Sequence, residues 1–90
     1  MSVLDEIAKE QAKQIEKWGV QNHDLPFYYA ILAEEVGEVA KGVVEHTANY
    51  ECVQDIYLYD IRYELVQTAA VAASIIERID RHFSKEALFK

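Results

Sequence analysis

The run LVQTAAVAASII, Leu65 to Ile76, limits the possible folds of this chain more than any other stretch. Placed on a helix, its small and aliphatic side chains cover nearly the whole circumference. A helix that is apolar on all sides must be buried on more than one side. We therefore predict that this segment packs inside its own chain and also forms the interface with another copy.

Apolar residues recur at helical spacing along three segments of the chain. They predict helices over Ser2–Lys17, Phe27–His46 and about Val53–His82. Between the first two, Gly19–Pro26 holds a glycine stop, polar turn formers and the start signals Asp24 and Pro26. Repeats and strand patterns are absent from the sequence. The expected fold is all-α: one domain over residues 1–90, an antiparallel bundle of three main helices.

Composition predicts that the bundle is completed by oligomerisation. The chain has 90 residues, of which 51% are hydrophobic. A domain of this size buries only about 60–65% of its unfolded surface, so a lone chain is marginally stable. We expect a homodimer or homotetramer.

Charge and cysteine content narrow the partners and the compartment. The net charge is -7, which disfavours binding to nucleic acid polymers and to anionic membranes. A polyanionic ligand would need a bridging cation. Cys52 is the only cysteine, so no intrachain disulfide forms. Met1–Glu10 lacks a targeting pattern, and no apolar run approaches the roughly 20 residues of a membrane span. We expect a cytoplasmic protein.

Carboxylates interrupt the apolar pattern of the second helix. Glu35 and Glu38 fall at the border of its apolar stripe, and Glu34 lies further toward solvent within reach of Glu38. On the third helix, Glu64 and Gln67 occupy a similar border three residues apart. A short connection makes the two helices antiparallel neighbours, so these polar pairs are expected to face each other.

Crowded carboxylates repel one another and take up protons unless a positive charge lies between them. A divalent cation provides that charge. Oxygen ligands without Cys or His indicate Mg²⁺ or Mn²⁺ rather than Zn²⁺, and Mg²⁺ in proteins usually meets phosphate oxygens. The competing interpretation is an ordinary solvated acidic face.

The two polar groups form a pattern that resembles a known family. E-E-x-x-E at Glu34, Glu35 and Glu38 is followed 26 residues after Glu38 by E-x-x-Q at Glu64 and Gln67. This pattern resembles the signature of the MazG-like all-α nucleoside triphosphate pyrophosphohydrolases. The stretches EKWGVQNH and YELVQTAAVAASIIE look like those of the small phage-type members. The resemblance covers nearly the whole chain.

The resemblance implies Mg²⁺-dependent hydrolysis of a nucleoside triphosphate to a monophosphate and pyrophosphate, in nucleotide metabolism. Glu35, Glu38 and Glu64 match the family's metal-binding positions, while Glu34 matches a supporting or base position. Glu38 is also expected to act in catalysis.

One position departs from the family signature. Gln67 stands where the signature has Asp, and its amide oxygen is a weaker ligand that carries no charge. Asp60, one turn before Glu64, is our hypothesis for the replacement carboxylate.

Four further residues are candidates for substrate binding. Trp18 would stack on a base, Gln11 and Asn22 would hydrogen-bond its edge, and Lys41 would contact phosphate. Each also has an ordinary structural explanation: an interface aromatic, an interior or loop-capping amide, and a surface charge.

Two other functions compete with hydrolysis. One is a catalytically weak nucleotide-binding or protein-interaction module, which the change from Asp to Gln67 would favour. The other is a ferritin-like di-iron oxidase. That class uses Glu-x-x-His pairs, and none of the three histidines lies three residues after a glutamate.

Overall fold

The structure, a computed structural model, describes residues 2–20, 23–47 and 55–82. These residues form three helices: α1 (Val3–Trp18), α2 (Leu25–Thr47) and α3 (Asp55–His82). No strand occurs within the described ranges. The all-α prediction is therefore confirmed. Both α1 and α2 pack along α3, which is the central helix.

The first helix begins and ends at residues with specific local chemistry. The Asp5 amide donates to Ser2 Oγ at 3.1 Å, and the Ser2 amide donates to Asp5 Oδ2 at 3.3 Å, which closes a capping box. After Trp18, Gly19 adopts a φ of 76°, and its amide donates to the Ile15 carbonyl at 2.7 Å. Because that φ is unfavourable for residues with a Cβ, glycine is the natural stop here.

The second helix begins two residues before its predicted start. Asp24 caps it, since the Phe27 amide donates to Asp24 Oδ1 at 3.1 Å. Pro26 fits in the first turn because its missing amide hydrogen would have no intrahelical partner there. The helix continues to Thr47, one residue past its predicted end. The predicted helical residues 53–54 lie outside the described residues.

Polar contacts join α3 to its two neighbours. Arg62 on α3 forms an ion pair and hydrogen bonds with Glu6 on α1. On the other side, Arg78 Nε donates to the His23 carbonyl, just before α2, at 3.2 Å. Gly42 on α2 lies beside α3 residues Ile61 and Glu64. These contacts hold α1 and α2 along the same central helix.

Few apolar side chains are buried completely. Among the described residues, Tyr28 and Ala70 are the buried hydrophobic ones. Large apolar side chains are exposed on one face of α2 and one face of α3. We define the outer face of α2 as Tyr29, Val36, Val43 and Val44, and the outer face of α3 as Leu58, Leu65 and Ile76.

Val36 and Val43 belong to the apolar stripe of the second helix in the sequence, yet Val36 is 50% exposed. Burial within one chain accounts for only part of the apolar pattern. Within the described ranges, no helix combines the length and hydropathy that crossing a membrane requires.

Candidate functional site

A groove of about 680 Å³ runs beside α3, between α1 and α2. This volume falls within the roughly 300–1,000 Å³ typical of small-molecule sites. All three helices and the connection after α1 contribute to its wall. The lining residues are Glu10, Gln14, Ile15, Trp18, Gly19, Val20, His23, Phe27, Tyr28, Ile31, Glu35, Glu38, Gln67, Val71, Ser74, Glu77 and Arg81. The groove therefore combines apolar walls with several carboxylates.

The fold brings part of the predicted carboxylate set into this groove. Glu35 and Glu38 line it from α2, and Gln67 lines it from α3. Glu35 is half-buried. Its burial raises the pKa of the Glu35 carboxyl above the ordinary value, and the charges of Glu38, Glu34 and Glu64 raise it further. The charges of three predicted site glutamates thus oppose ionisation of a fourth, Glu35.

Glu64 has a buried oxygen with no partner. Its Oε2 atom is inaccessible to solvent and makes no hydrogen bond. Gly42 borders this oxygen: a methyl group at Gly42 would lie 3.8 Å from it. An unpaired buried carboxylate oxygen costs free energy, and a proton or a cation would offset that cost. Such an orphaned oxygen matches the donor chemistry expected of a Mg²⁺ or Mn²⁺ ligand.

The carboxylates are nevertheless not gathered into a ready-made metal cage. Among the residues that the structure describes, no three Asp, Glu, His or Cys side chains are placed to hold one ion. The oxygen-only donor set fits a hard cation. Side chains would have to rotate to surround it. The metal site stays a prediction.

Three predicted members of the acidic site, Glu34, Asp60 and Glu64, lie outside the groove lining. Glu34 and Asp60 are exposed. Glu34 still raises the pKa of Glu35 through its charge. Asp60 has no comparable contact with the groove, so its role as the replacement carboxylate also stays a prediction.

Trp18 is the predicted substrate residue that the fold places at the groove. It lines the groove while 59% of it remains exposed, and Lys17 Nζ lies 4.7 Å from the centre of its ring. An exposed aromatic ring on a groove wall can stack on a flat ligand. The other predicted substrate residues have different surroundings.

Gln11 Nε2 donates to Ser74 Oγ at 3.2 Å and to Glu77 Oε2 at 2.7 Å, so this amide group joins α1 to α3. Lys41 is exposed, lies outside the groove lining and pairs with Glu45 at 3.8 Å. Asn22 lies outside the described residues.

Sequence reasoning missed Glu10, which lines the groove from α1 and is only 8% exposed. A signal was present, because Glu10 lies three residues after Ile7 and four before Gln14, on the side of α1 that meets α3. It also missed Arg81 and His23, which line the groove. His23 stacks against Phe27 with ring centres 4.5 Å apart.

We compared the chain with protein families, curated proteins and solved structures. No family model, no curated protein and no solved structure matches it.

Proposed function

We propose that this protein hydrolyses a nucleoside triphosphate to a monophosphate and pyrophosphate, as the resemblance to MazG-like enzymes implies. One observation carries the proposal. In a groove large enough for a nucleotide, Glu35 is half-buried and its ionised form is opposed by Glu38, Glu34 and Glu64. Glutamates held in mutual repulsion beside a groove are typical of a site that takes up cations.

Glu35, Glu38 and Glu64 would hold Mg²⁺ or Mn²⁺, with Gln67 offering a neutral oxygen. The chemistry that such a cation supplies is neutralisation of phosphate charge and a lower pKa for a bound water. The cation would also offset the repulsion between a triphosphate and a protein whose net charge is -7.

The remaining roles belong to the chain's own side chains. Glu38, on the groove wall, would accept the proton of the water that attacks the α-phosphorus, with Glu34 one turn away as its support. Trp18 would stack on the base and keep the nucleotide in place. Attack by water breaks the bond between the α- and β-phosphates, so pyrophosphate leaves.

An antiparallel arrangement of α2 and α3 is part of this proposal. Gly42, late in α2, lies beside Glu64 in the first half of α3. His23, just before α2, is bonded to Arg78 near the end of α3. Contacts in this order support helices that run in opposite directions.

A homodimer or homotetramer is also part of the proposal. The outer faces of α2 and α3 leave large apolar side chains in water, and covering them with a second copy would stabilise both chains. The expected cytoplasmic location belongs to the proposal as well.

A nucleotide panel tests the activity. The protein is incubated with each common ribo- and deoxyribonucleoside triphosphate and Mg²⁺ or Mn²⁺, and the products are separated. We expect a monophosphate and pyrophosphate in equal amounts, and none in the presence of a chelator. Diphosphate and phosphate as products would contradict attack at the α-phosphorus.

A catalytically weak nucleotide-binding module is the second candidate. It is favoured by the lack of any ready-made three-ligand cage among the described side chains and by the neutral Gln67. Triphosphate binding without turnover would identify it.

A further inference from the structure

Glu10 is a buried carboxylate that the reaction proposed above does not use. It is the one charged or polar side chain classed as buried among the described residues, with 8% of it exposed. It lines the groove from α1. Within the described part of the chain it has no hydrogen bond and no ion pair. Its oxygens therefore have unused capacity to accept hydrogen bonds inside the groove.

The Glu10 oxygens still reach solvent through the groove, because Glu64 Oε2 is the described side-chain atom that is fully buried without a partner. A ligand that displaces this solvent has to bring donors of its own, since a carboxylate without donors is costly in a dry site. Two kinds of ligand group could do this: a metal ion or a pair of N–H groups. The glutamates proposed to hold the cation are on α2 and α3, whereas Glu10 is on α1. No three acidic side chains in the described ranges are placed to share an ion. These observations favour N–H groups.

The groove around Glu10 suits a flat ring. Trp18, Phe27, Ile31 and Val71 give its wall an aromatic and aliphatic character. A carboxylate accepts two parallel hydrogen bonds most strongly when the donors are adjacent on one edge. Among the common bases, guanine has this edge, with N1–H beside the 2-amino group. Adenine and cytosine place one amino group beside an acceptor nitrogen, and uracil has a single N–H between two carbonyls.

We propose that Glu10 is a specificity-determining residue that binds the N1–H and 2-amino groups of guanine, so that the preferred substrate is a guanine nucleotide. This inference rests on the proposed function in one respect, that the substrate is a triphosphate. Binding of the guanine base requires neither the metal nor hydrolysis.

Uncharged nucleosides test base recognition without a metal. Guanosine, inosine and adenosine are titrated in the presence of a chelator and followed by NMR chemical shifts. Inosine is guanosine without the 2-amino group, so it removes one of the two donors. We expect guanosine to bind at least about tenfold more tightly than inosine or adenosine, the size of effect of one good bidentate pair. Equal binding of guanosine and inosine would overturn the inference.

The variant Glu10→Gln replaces one carboxylate oxygen with an amide NH₂ group. This group is a donor and would face the donor groups of the guanine edge. We expect it to lose the preference for guanosine over inosine while its affinity for Mn²⁺ is unchanged. Glu16→Gln is the matched control, because Glu16 is an exposed glutamate on the same helix. A Glu10→Gln protein that keeps the preference, or that binds Mn²⁺ more weakly, would contradict the assignment.

Two further measurements cover the remaining outcomes. Glu10→Asp keeps the charge on a shorter side chain, and it should bind guanosine more weakly while keeping the order of the nucleosides. If circular dichroism shows that Glu10→Gln does not fold, the inference is judged from Glu10→Asp and from the binding of guanosine, inosine and adenosine to the wild type. Turnover of GTP, ITP and ATP is measured in parallel. Guanosine preference without turnover would refute the proposed activity alone, and turnover without guanine preference would refute this inference alone.

Discussion

The groove and the outer faces of the bundle reverse the usual distribution of polarity. In the groove, Glu10 is buried and Glu35 is half-buried, where a small domain would ordinarily place aliphatic residues. On the outer faces, Val36 on α2 and Leu65 on α3 are each 50% exposed, where a small domain would ordinarily place charges.

This difference is what we expect if, as proposed, one chain alone is not the functional unit. Buried carboxylates reduce stability unless a ligand supplies cations or donors. Exposed aliphatic residues contribute little until another surface covers them. In the proposal, a ligand occupies the groove and a second copy covers the outer faces.

The largest effect is expected from the groove. Glu38→Gln keeps the size of the side chain but removes a charge that would hold the cation and accept a proton. We expect kcat/KM for triphosphate hydrolysis to fall on the order of 1,000-fold, a loss of several kcal/mol of transition-state stabilisation. Hydrolysis is measured from pyrophosphate release.

Glu45→Gln is the control for this variant, because Glu45 is an exposed glutamate on the same helix and pairs only with Lys41 at 3.8 Å in an exposed setting. It should stay within about twofold of the wild type, as expected of an exposed pair worth a few tenths of a kcal/mol. Unchanged turnover in Glu38→Gln would remove this residue from the site.

The outer face of α2 should control association. Val36→Lys introduces a charge among Tyr29, Val43 and Val44, and we expect association to weaken by about 30-fold or more, the size of a hot-spot residue. Sedimentation velocity across a concentration series measures the change. Lys13→Glu, at an exposed position on α1, serves as the control. An unchanged oligomer in Val36→Lys would move the interface elsewhere.

Gly37 and Gly42 on α2 allow the surroundings of two positions on this helix to be compared by adding a methyl group at each. Replacing a helical glycine by alanine stabilises a helix by about 1 kcal/mol where space allows. A methyl group at Gly37 would meet nothing within 4 Å, and one at Gly42 would lie in ordinary contact, 3.8 Å from Glu64 Oε2. In a single chain both changes should therefore stabilise.

The two alanine variants are compared by urea unfolding above and below the association midpoint. A gain for Gly37→Ala that disappears in the oligomer would show that a second copy lies close to α2 at this residue. Loss of stability in both variants at every concentration would contradict the room for a methyl group that the structure shows at both positions.

The smallest expected effect is a pH dependence from Glu35. Its pKa is raised in the folded protein, so folding favours the protonated form. The stabilisation from that proton is fully present below the unfolded pKa of glutamate and is lost as pH rises through the folded pKa. In chelator, Glu35→Gln should thus be more stable than the wild type at neutral pH.

Below the ordinary glutamate pKa the stability advantage of Glu35→Gln should vanish, as thermal unfolding at several pH values would show. An advantage that is the same at all pH values would assign it to packing rather than to charge.

Local signals in the sequence were sufficient to predict the helices and part of the groove. Helical periodicity located all three helices, and Gly19 and Asp24 marked an end and a start that the structure confirms. Three-residue spacing keeps the pairs Glu35–Glu38 and Glu64–Gln67 on their helical faces, and all of these residues except Glu64 line the groove. Each of these signals depends on residues close together in the chain.

The features that were missed depend on packing between distant segments. Glu10 is buried because α1 lies along α3. Its spacing from Ile7 and Gln14 places these residues on one side of α1, but spacing alone does not show that a carboxylate on that side is covered. Val36 belongs to an apolar stripe, yet periodicity cannot tell whether the same chain or another copy covers that stripe. Gln11 was expected to bind a base edge or to serve as an interior amide; its amide nitrogen donates to Ser74 and Glu77 on α3, and substrate binding stays a prediction.

Calorimetric titration of Mn²⁺ into the protein, with and without a nonhydrolysable triphosphate, tests the central claim that the groove carboxylates form a cation site for a nucleotide. We predict saturable binding that strengthens when the triphosphate is present, and that is lost in Glu38→Gln. No heat of binding in either titration would contradict the account, because the buried carboxylates would then have no cation to hold.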